Sequence, residues 1–244
     1  MIELRDTTVA FGDHRVIESM SLRIAAAETT VLLGRSGCGK TTLLRLINGM
    51  LMPASGTVLV DGIPTREWDL IRLRRRCGYV IQEAGLLPHY TVGRNVGLVP
   101  ELEGEPPARV AERVLEMLEF VGLAPADYAD RLPSQLSGGQ RQRVGVARAL
   151  AADPPLLLCD EPFGALDPIT RAELQREFRR LSDNLDKTIV FVTHDVREAL
   201  LLADRIVLLA AGRVVVDATA ADFRASDHCE ARAFLSSIEL ESAT

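Results

Sequence analysis

The stretch Thr30-Val-Leu-Leu-Gly-Arg-Ser-Gly-Cys-Gly-Lys-Thr-Thr42 decides the fold. A short apolar run feeds a glycine-rich turn, and Leu43, Leu44, Leu46 and Ile47 then recur at helical spacing. Between them lies Gly34-x-x-x-x-Gly39-Lys40-Thr41, the pattern of a phosphate-binding loop in the strand–turn–helix setting it requires. Glycines let the backbone turn its amides inward with no Cβ in the way. The helix that follows adds the positive end of its dipole, so the loop from Gly34 through Ser36, Gly37, Cys38 and Gly39 to Thr42 reads as an anion cradle. Lys40 is placed to reach the β- and γ-phosphates, and the Thr41 hydroxyl to ligate Mg²⁺.

Composition sets the outer bounds. The 244 residues, 47% hydrophobic and 25% charged, are those of an ordinary globular protein able to bury a sizeable core. A net charge of -6 argues against a nucleic-acid partner. No apolar run approaches the ~20 residues that span a bilayer, so any membrane role is expected to come through a partner. Met1-Ile-Glu-Leu-Arg-Asp shows no signal-peptide pattern. Cys38, Cys77, Cys159 and Cys229 are widely spaced, which suggests neither a disulfide framework nor a zinc site.

Outward from the loop, strands and helices alternate. Residues 1–33 read as short strands with a turn at Gly12-Asp13 and an alternating run at Met20, Leu22 and Ile24. Phe11, beside that turn, reads equally as core or as a stacking surface for an adenine ring. Thr57 to Val60 is a strand, Arg72 to Arg76 a solvated basic helix face, and Cys77 to Ile81 a strand that stops at Gln82. Gln82 to Pro107 is rich in glycine and proline and predicts a boundary or mobile connection. Helices are expected from Ala108 to Val121 and from about Gln140 to Ala152. Leu156 to Cys159 is apolar throughout, as in a parallel strand covered on both faces, and ends at Asp160-Glu161. Asp167-Pro168 is an N-cap followed by proline, and Leu174, Phe178, Leu181 and Leu185 supply that helix's buried stripe. Thr188 to Thr193 is the next strand, stopping at His194, and strands on either side of Gly212 close the sheet. The chain after Asp217 reads as a polar tail with room for one helix.

The expected architecture is α/β with a mostly parallel sheet and a helical insertion over about 86–152. The loop, Gln82, Asp160-Glu161 and His194 all stand just past strand ends, where parallel sheets gather ligands. Phosphoryl transfer to water needs the γ-phosphate charge neutralised and one water oriented. Asp160 suits Mg²⁺ and Glu161 the attacking water. Gln82 suits both the metal shell and the water, and His194 can donate to the γ-phosphate. Leu136-Ser-Gly-Gly-Gln140 adds a second anion corner: Ser137 caps a helix while Gly138 and Gly139 bare their amides. One cradle and two places that want a γ-phosphate point to a head-to-tail dimer.

With these motifs in order, the sequence resembles the ATP-binding subunit of ABC transporters over about residues 2–217. The resemblance implies a P-loop ATPase domain with an N-terminal antiparallel β-subdomain, a core over about 1–85 and 153–217, and a short tail over 218–244. It implies two such subunits enclosing two ATP molecules, Ser137 and Gly139 of one facing the γ-phosphate held by the other, with Gly138 and Gln140 in the same motif. Asp167 would lie at the dimer seam, and Phe11 takes the place of an adenine-stacking aromatic, usually Tyr. The segment after Gln82 would meet an integral-membrane permease at the cytoplasmic face of the inner membrane, in a system with an extracytoplasmic substrate-binding protein. Residues 79–89 and 160–171 are similar to the importer branch for osmoprotectants such as glycine betaine or choline. Some members carry regulatory domains after the ATPase; the roughly 27 residues here do not carry that expectation. One departure is Ala25-Ala-Ala-Glu28, where the family usually places glycine before the glutamate, which puts the local turn in question. The competing classes are an ABC ATPase acting on nucleic acid or ribosomes and a metabolite kinase; the Ser137–Gln140 signature disfavours the kinase.

Overall fold

The computed structural model describes residues 1–82, 84–164, 166–183 and 187–242. Leu185 of the expected stripe lies outside them, and so does the side chain of Leu181. The chain forms two compact units, Met1–Arg74 with Phe178–Thr244, and Arg75–Glu177.

The first unit holds an antiparallel sheet in the order His14–Ile24, Ile2–Phe11, Ser55–Val60, Ile63–Pro64. Ile2 pairs with Ile24 and Phe11 with His14 around the turn at Gly12, and Met20, Leu22 and Ile24 are buried on alternate positions as the pattern requires. In the same unit, strand Thr29–Gly34 lies between Thr188–Thr193 and Arg205–Ala210 and runs parallel to both. Every residue of the first two is buried, the reason their sequences are apolar without alternation. Arg213–Thr219 pairs antiparallel with Arg205–Ala210 through a turn at Ala211-Gly212, both in the left-handed region as a two-residue hairpin demands. Phe191 is fully buried, and the ring of Phe178 meets it edge-on at 5.5 Å between centroids.

The turn at Ala27 answers the question that the sequence raised. Ala27 has φ 53, left-handed backbone that favours glycine, and Thr188 Oγ1 accepts a hydrogen bond from its amide at 3.1 Å. Beyond Asp217 the chain is more ordered than its polarity predicts. Thr219 caps helix Ala220–Arg224, accepting from the Asp222 amide at 3.1 Å, Phe223 is fully buried, and helix Cys229–Ser242 follows.

The second unit is built on two parallel strands, Cys77–Val80 and Leu156–Asp160, with Val80 opposite Cys159. A Cβ on Gly78 would fall 2.3 Å from the Ala149 carbonyl oxygen, so only glycine lets helix Gly138–Leu150 lie this close to the strand. Helix Pro107–Phe120 buries Val110, Val114, Met117 and Leu118, as the period predicts. The glycine- and proline-rich stretch is not the connection expected of it: Val92–Leu102 is a helix, capped by Thr91 and carrying Pro100 within it. Gly97 lets that helix meet Val110 at a distance that a Cβ would close to 2.8 Å. Asn95, fully buried, accepts from the Leu87 amide and donates to the carbonyls of Leu87, Tyr90 and Thr91, which satisfies the bends of residues 87–91.

Candidate active site

The first unit carries the glycine loop. Strand Thr29–Gly34 ends at Gly34 and helix Lys40–Ile47 begins after Gly39. Gly37 and Gly39 have φ 80 and 106, and a Cβ on Gly34 would stand 2.5 Å from the Leu209 carbonyl oxygen and 2.6 Å from Cys38 Sγ. The loop therefore closes only on glycine. No side chain caps the helix, so the positive end of its dipole meets the loop backbone directly. Lys40 is buried, and its Nζ donates to the carbonyls of Gly34 at 2.6 Å and Arg35 at 3.1 Å. The cation thus folds over its own loop, where carbonyl oxygens offset its desolvation.

His194 is exposed one residue past strand Thr188–Thr193. The backbone on its C-terminal side is fixed by Asp195, whose amide donates to Thr193 Oγ1 and whose carboxylate accepts from the Arg197 amide at 2.8 Å, capping helix Val196–Leu202. Phe11 is 54% exposed at the end of its strand, so it is not a core residue.

In the second unit, Gln82 is exposed two residues past Val80, Asp160 is the last residue of the neighbouring strand, and Glu161 is the first beyond it. Tyr79 Oη donates to Asp160 Oδ2 at 3.4 Å. Gly164 brings Gln82 and Glu161 together: from the point where its Cβ would stand, Gln82 Nε2 is 3.4 Å away and Glu161 Oε2 3.8 Å. The Gly164 amide in turn donates to the Glu161 carbonyl at 3.1 Å, and Glu161 has φ 45. An amide and a carboxylate facing one small neighbour can share a water molecule.

Ser137 heads helix Gly138–Leu150 in a complete capping box. Its hydroxyl accepts from the Gln140 amide at 3.2 Å, while the Gln140 side chain accepts from the Ser137 amide at 2.9 Å and donates to Tyr128 Oη. Gly138 is exposed; Gly139 is buried, and a Cβ there would stand 2.6 Å from Thr170 Cγ2. Asp167 is exposed and accepts from the amides of Ile169 and Thr170. The Thr170 hydroxyl and these amides hold its carboxyl below the ordinary aspartate range. Two neighbours of the site, Tyr79 and Gly164, have no sequence signal beyond their place within residues 79–89 and 160–171. Their contacts arise only when residues about 80 apart in sequence are brought side by side.

Residues 17–164 match the family model described as ABC transporter. The chain is 51% identical over 216 residues to the glycine betaine/carnitine/choline transport ATP-binding protein OpuCA of Bacillus subtilis, which covers 88% of this chain and 57% of that protein. It is 44% identical over 220 residues to the osmoprotectant import ATP-binding protein OsmV of Salmonella typhimurium, covering 88% and 58%. The chain therefore spans a little over half the length of these relatives. Among solved structures, the dimeric post-hydrolysis state of the ATP-binding cassette MJ0796 bound to ADP and Pi superposes with a TM-score of 0.80 at 34% identity, over 90% of this chain and 99% of that one. A family match over more than half of its residues, on the α/β fold and motifs described above, shows that the chain belongs to the ABC transporter family.

Proposed function

We propose that this chain is the ATP-binding and ATP-hydrolysing subunit of an importer for osmoprotectants of the quaternary-amine class, such as glycine betaine or choline. The roles divide between the units. In the first, the loop from Gly34 through Ser36, Gly37, Cys38, Gly39 and Thr42 holds the phosphates, Lys40 pairs with their charge, Phe11 stacks on the adenine and His194 donates to the γ-phosphate. In the second, Glu161 takes a proton from the water whose oxygen attacks the γ-phosphorus, and the bond to the β–γ bridging oxygen breaks to release ADP and phosphate. The Thr41 hydroxyl, the Gln82 amide oxygen and the Asp160 carboxylate are all hard oxygen donors, a set that fits Mg²⁺ held jointly with substrate phosphates. When bound, that ion neutralises phosphate charge.

Ser137, Gly138, Gly139 and Gln140 of one copy cover the γ-phosphate held by the other, with Asp167 at the seam. The pair sits on the cytoplasmic face of the membrane against a permease that a substrate-binding protein serves from outside. The osmoprotectant and glycine betaine/carnitine/choline transport roles for which OsmV and OpuCA are named support the substrate class.

The observation that carries the catalytic reading is the neighbourhood of Gly164, where the Gln82 amide and the Glu161 carboxylate can hold one water between a polariser and a base. Glu161→Gln is expected to keep ATP binding, lower turnover at least ~100-fold and trap an ATP-bound dimer on gel filtration. Turnover near the parent rate removes Glu161 from the base role. Uptake of labelled choline by vesicles holding the permease and this subunit, compared with labelled sulfate, tests the substrate class.

A further inference from the structure

Helix Gly138–Leu150, which starts at Ser137, presents Gln142, Gly145 and Arg148 three residues apart and hence one above another. All three meet the segment around Gln82. Gln142 Nε2 donates to the Ile81 carbonyl at 3.3 Å. At Gly145 a Cβ would stand 3.2 Å from Ala84 Cβ and 3.4 Å from its Cα, so Ala84 rests directly on the helix backbone. Arg148 closes the row with a fork: one terminal nitrogen donates to the Gly85 carbonyl at 2.8 Å, the other to the Ala84 carbonyl at 2.6 Å. Ala84 and Gly85 are successive left-handed residues, φ 56 and 53, and Ala84 is buried. An alanine stays in that conformation only where its surroundings hold it. The planar two-pronged guanidinium is suited to pinning two consecutive carbonyls, which a lysine cannot match.

We infer that Arg148 is a positioning residue for Gln82. It locks the turn two residues past Gln82 to the same helix that carries the Ser137 corner, so the side chain that orients the water is set by the element that covers the γ-phosphate. The inference rests on the proposed ATPase reaction and adds a residue to it.

A double-mutant cycle on the purified chain tests this, with ATPase rates read at saturating and limiting ATP and a thermal melt on every variant. In the parent background Arg148→Lys is expected to lower kcat about tenfold, as slight misplacement of a reacting group does, with KM for ATP within about twofold. In the Gln82→Ala background the same change is expected to cost less than about twofold, because the side chain it positions has gone. Arg148→Ala should repeat the pattern more strongly; if it fails to fold, Arg148→Lys decides alone. An unchanged kcat, or an equal fold-loss in both backgrounds, overturns the inference. A parent chain that hydrolyses no ATP, or a Glu161→Gln variant as fast as the parent, instead fails the underlying ATPase reading and the inference with it.

Discussion

Two helix starts in this molecule face the same chemical problem and solve it differently. Helix Lys40–Ile47 begins after Gly39 with no side-chain cap and with a buried lysine bent over the loop carbonyls. Helix Gly138–Leu150 begins after Ser137 with a reciprocal capping box already closed by Gln140. In the proposed reaction the first commits glycine backbone and a cation to the incoming triphosphate. The second has satisfied part of its first turn internally and keeps only the glycine amides and the serine proton to offer. A corner of that kind holds phosphate weakly when alone and is useful when phosphate is presented to it. In the proposed reaction, capture and closure are thus separated by how each helix handles its first turn.

The largest expected break in this contrast comes from Lys40→Ala. A hydrogen bond to a charged group is worth about 1.5–3 kcal/mol, so ATP binding measured by calorimetry should weaken about ten- to hundredfold. Unchanged affinity would return the first helix start to the status of an ordinary turn. Next comes Ser137→Asp, which keeps a good cap but sets a negative charge where phosphate is to be covered. Melting should stay within about a degree of the parent while ATP-dependent dimerisation is lost, whereas Ser137→Ala should cost about 1 kcal/mol of stability through the cap. If Ser137→Asp dimerises normally, the corner is a cap and nothing more.

A smaller effect belongs to a third helix start. Asp167 titrates below its ordinary value of 3.8, held down by the Thr170 hydroxyl and the amides of Thr170 and Ile169. A carboxyl depressed by folding contributes stability that is present above the unfolded pKa and is lost as pH falls through the folded one. Acid unfolding below about pH 4 should therefore be shallower in Asp167→Asn; identical acid profiles would deny the cap its charge. The smallest effect is expected at Ala27, where Ala27→Gly suits φ 53 and should raise stability by under about 1 kcal/mol. A lower melting temperature would mean that the turn tolerates alanine without strain.

What could be read in advance was local. The loop spacing is written within eight residues and the caps at Ser137 and Asp167 within four each, and the structure forms the loop and both caps. Apolar runs likewise gave the buried parallel strands. The misreadings came where long-range contacts outweigh composition. Glycine and proline between 82 and 107 suggested mobility, yet Gly97 and Pro100 sit inside a helix because helix Pro107–Phe120 closes against it and Asn95 satisfies the bend before it. The polarity of the last residues hid Phe223, a single buried ring that seats helix Ala220–Arg224. Arg148 gave no signal either, since its partners lie more than sixty residues away in sequence.

Glu161 occupies backbone that glycine or asparagine would accept more readily, at φ 45. Holding a longer side chain there costs of order 1–3 kcal/mol. Any selection of variants for heat resistance alone will therefore tend to discard this glutamate, and with it the base of the proposed reaction. On the proposed base role, thermal tolerance and turnover pull in opposite directions at this one position, so a hardier protein recovered from such a selection should be assayed before it is used.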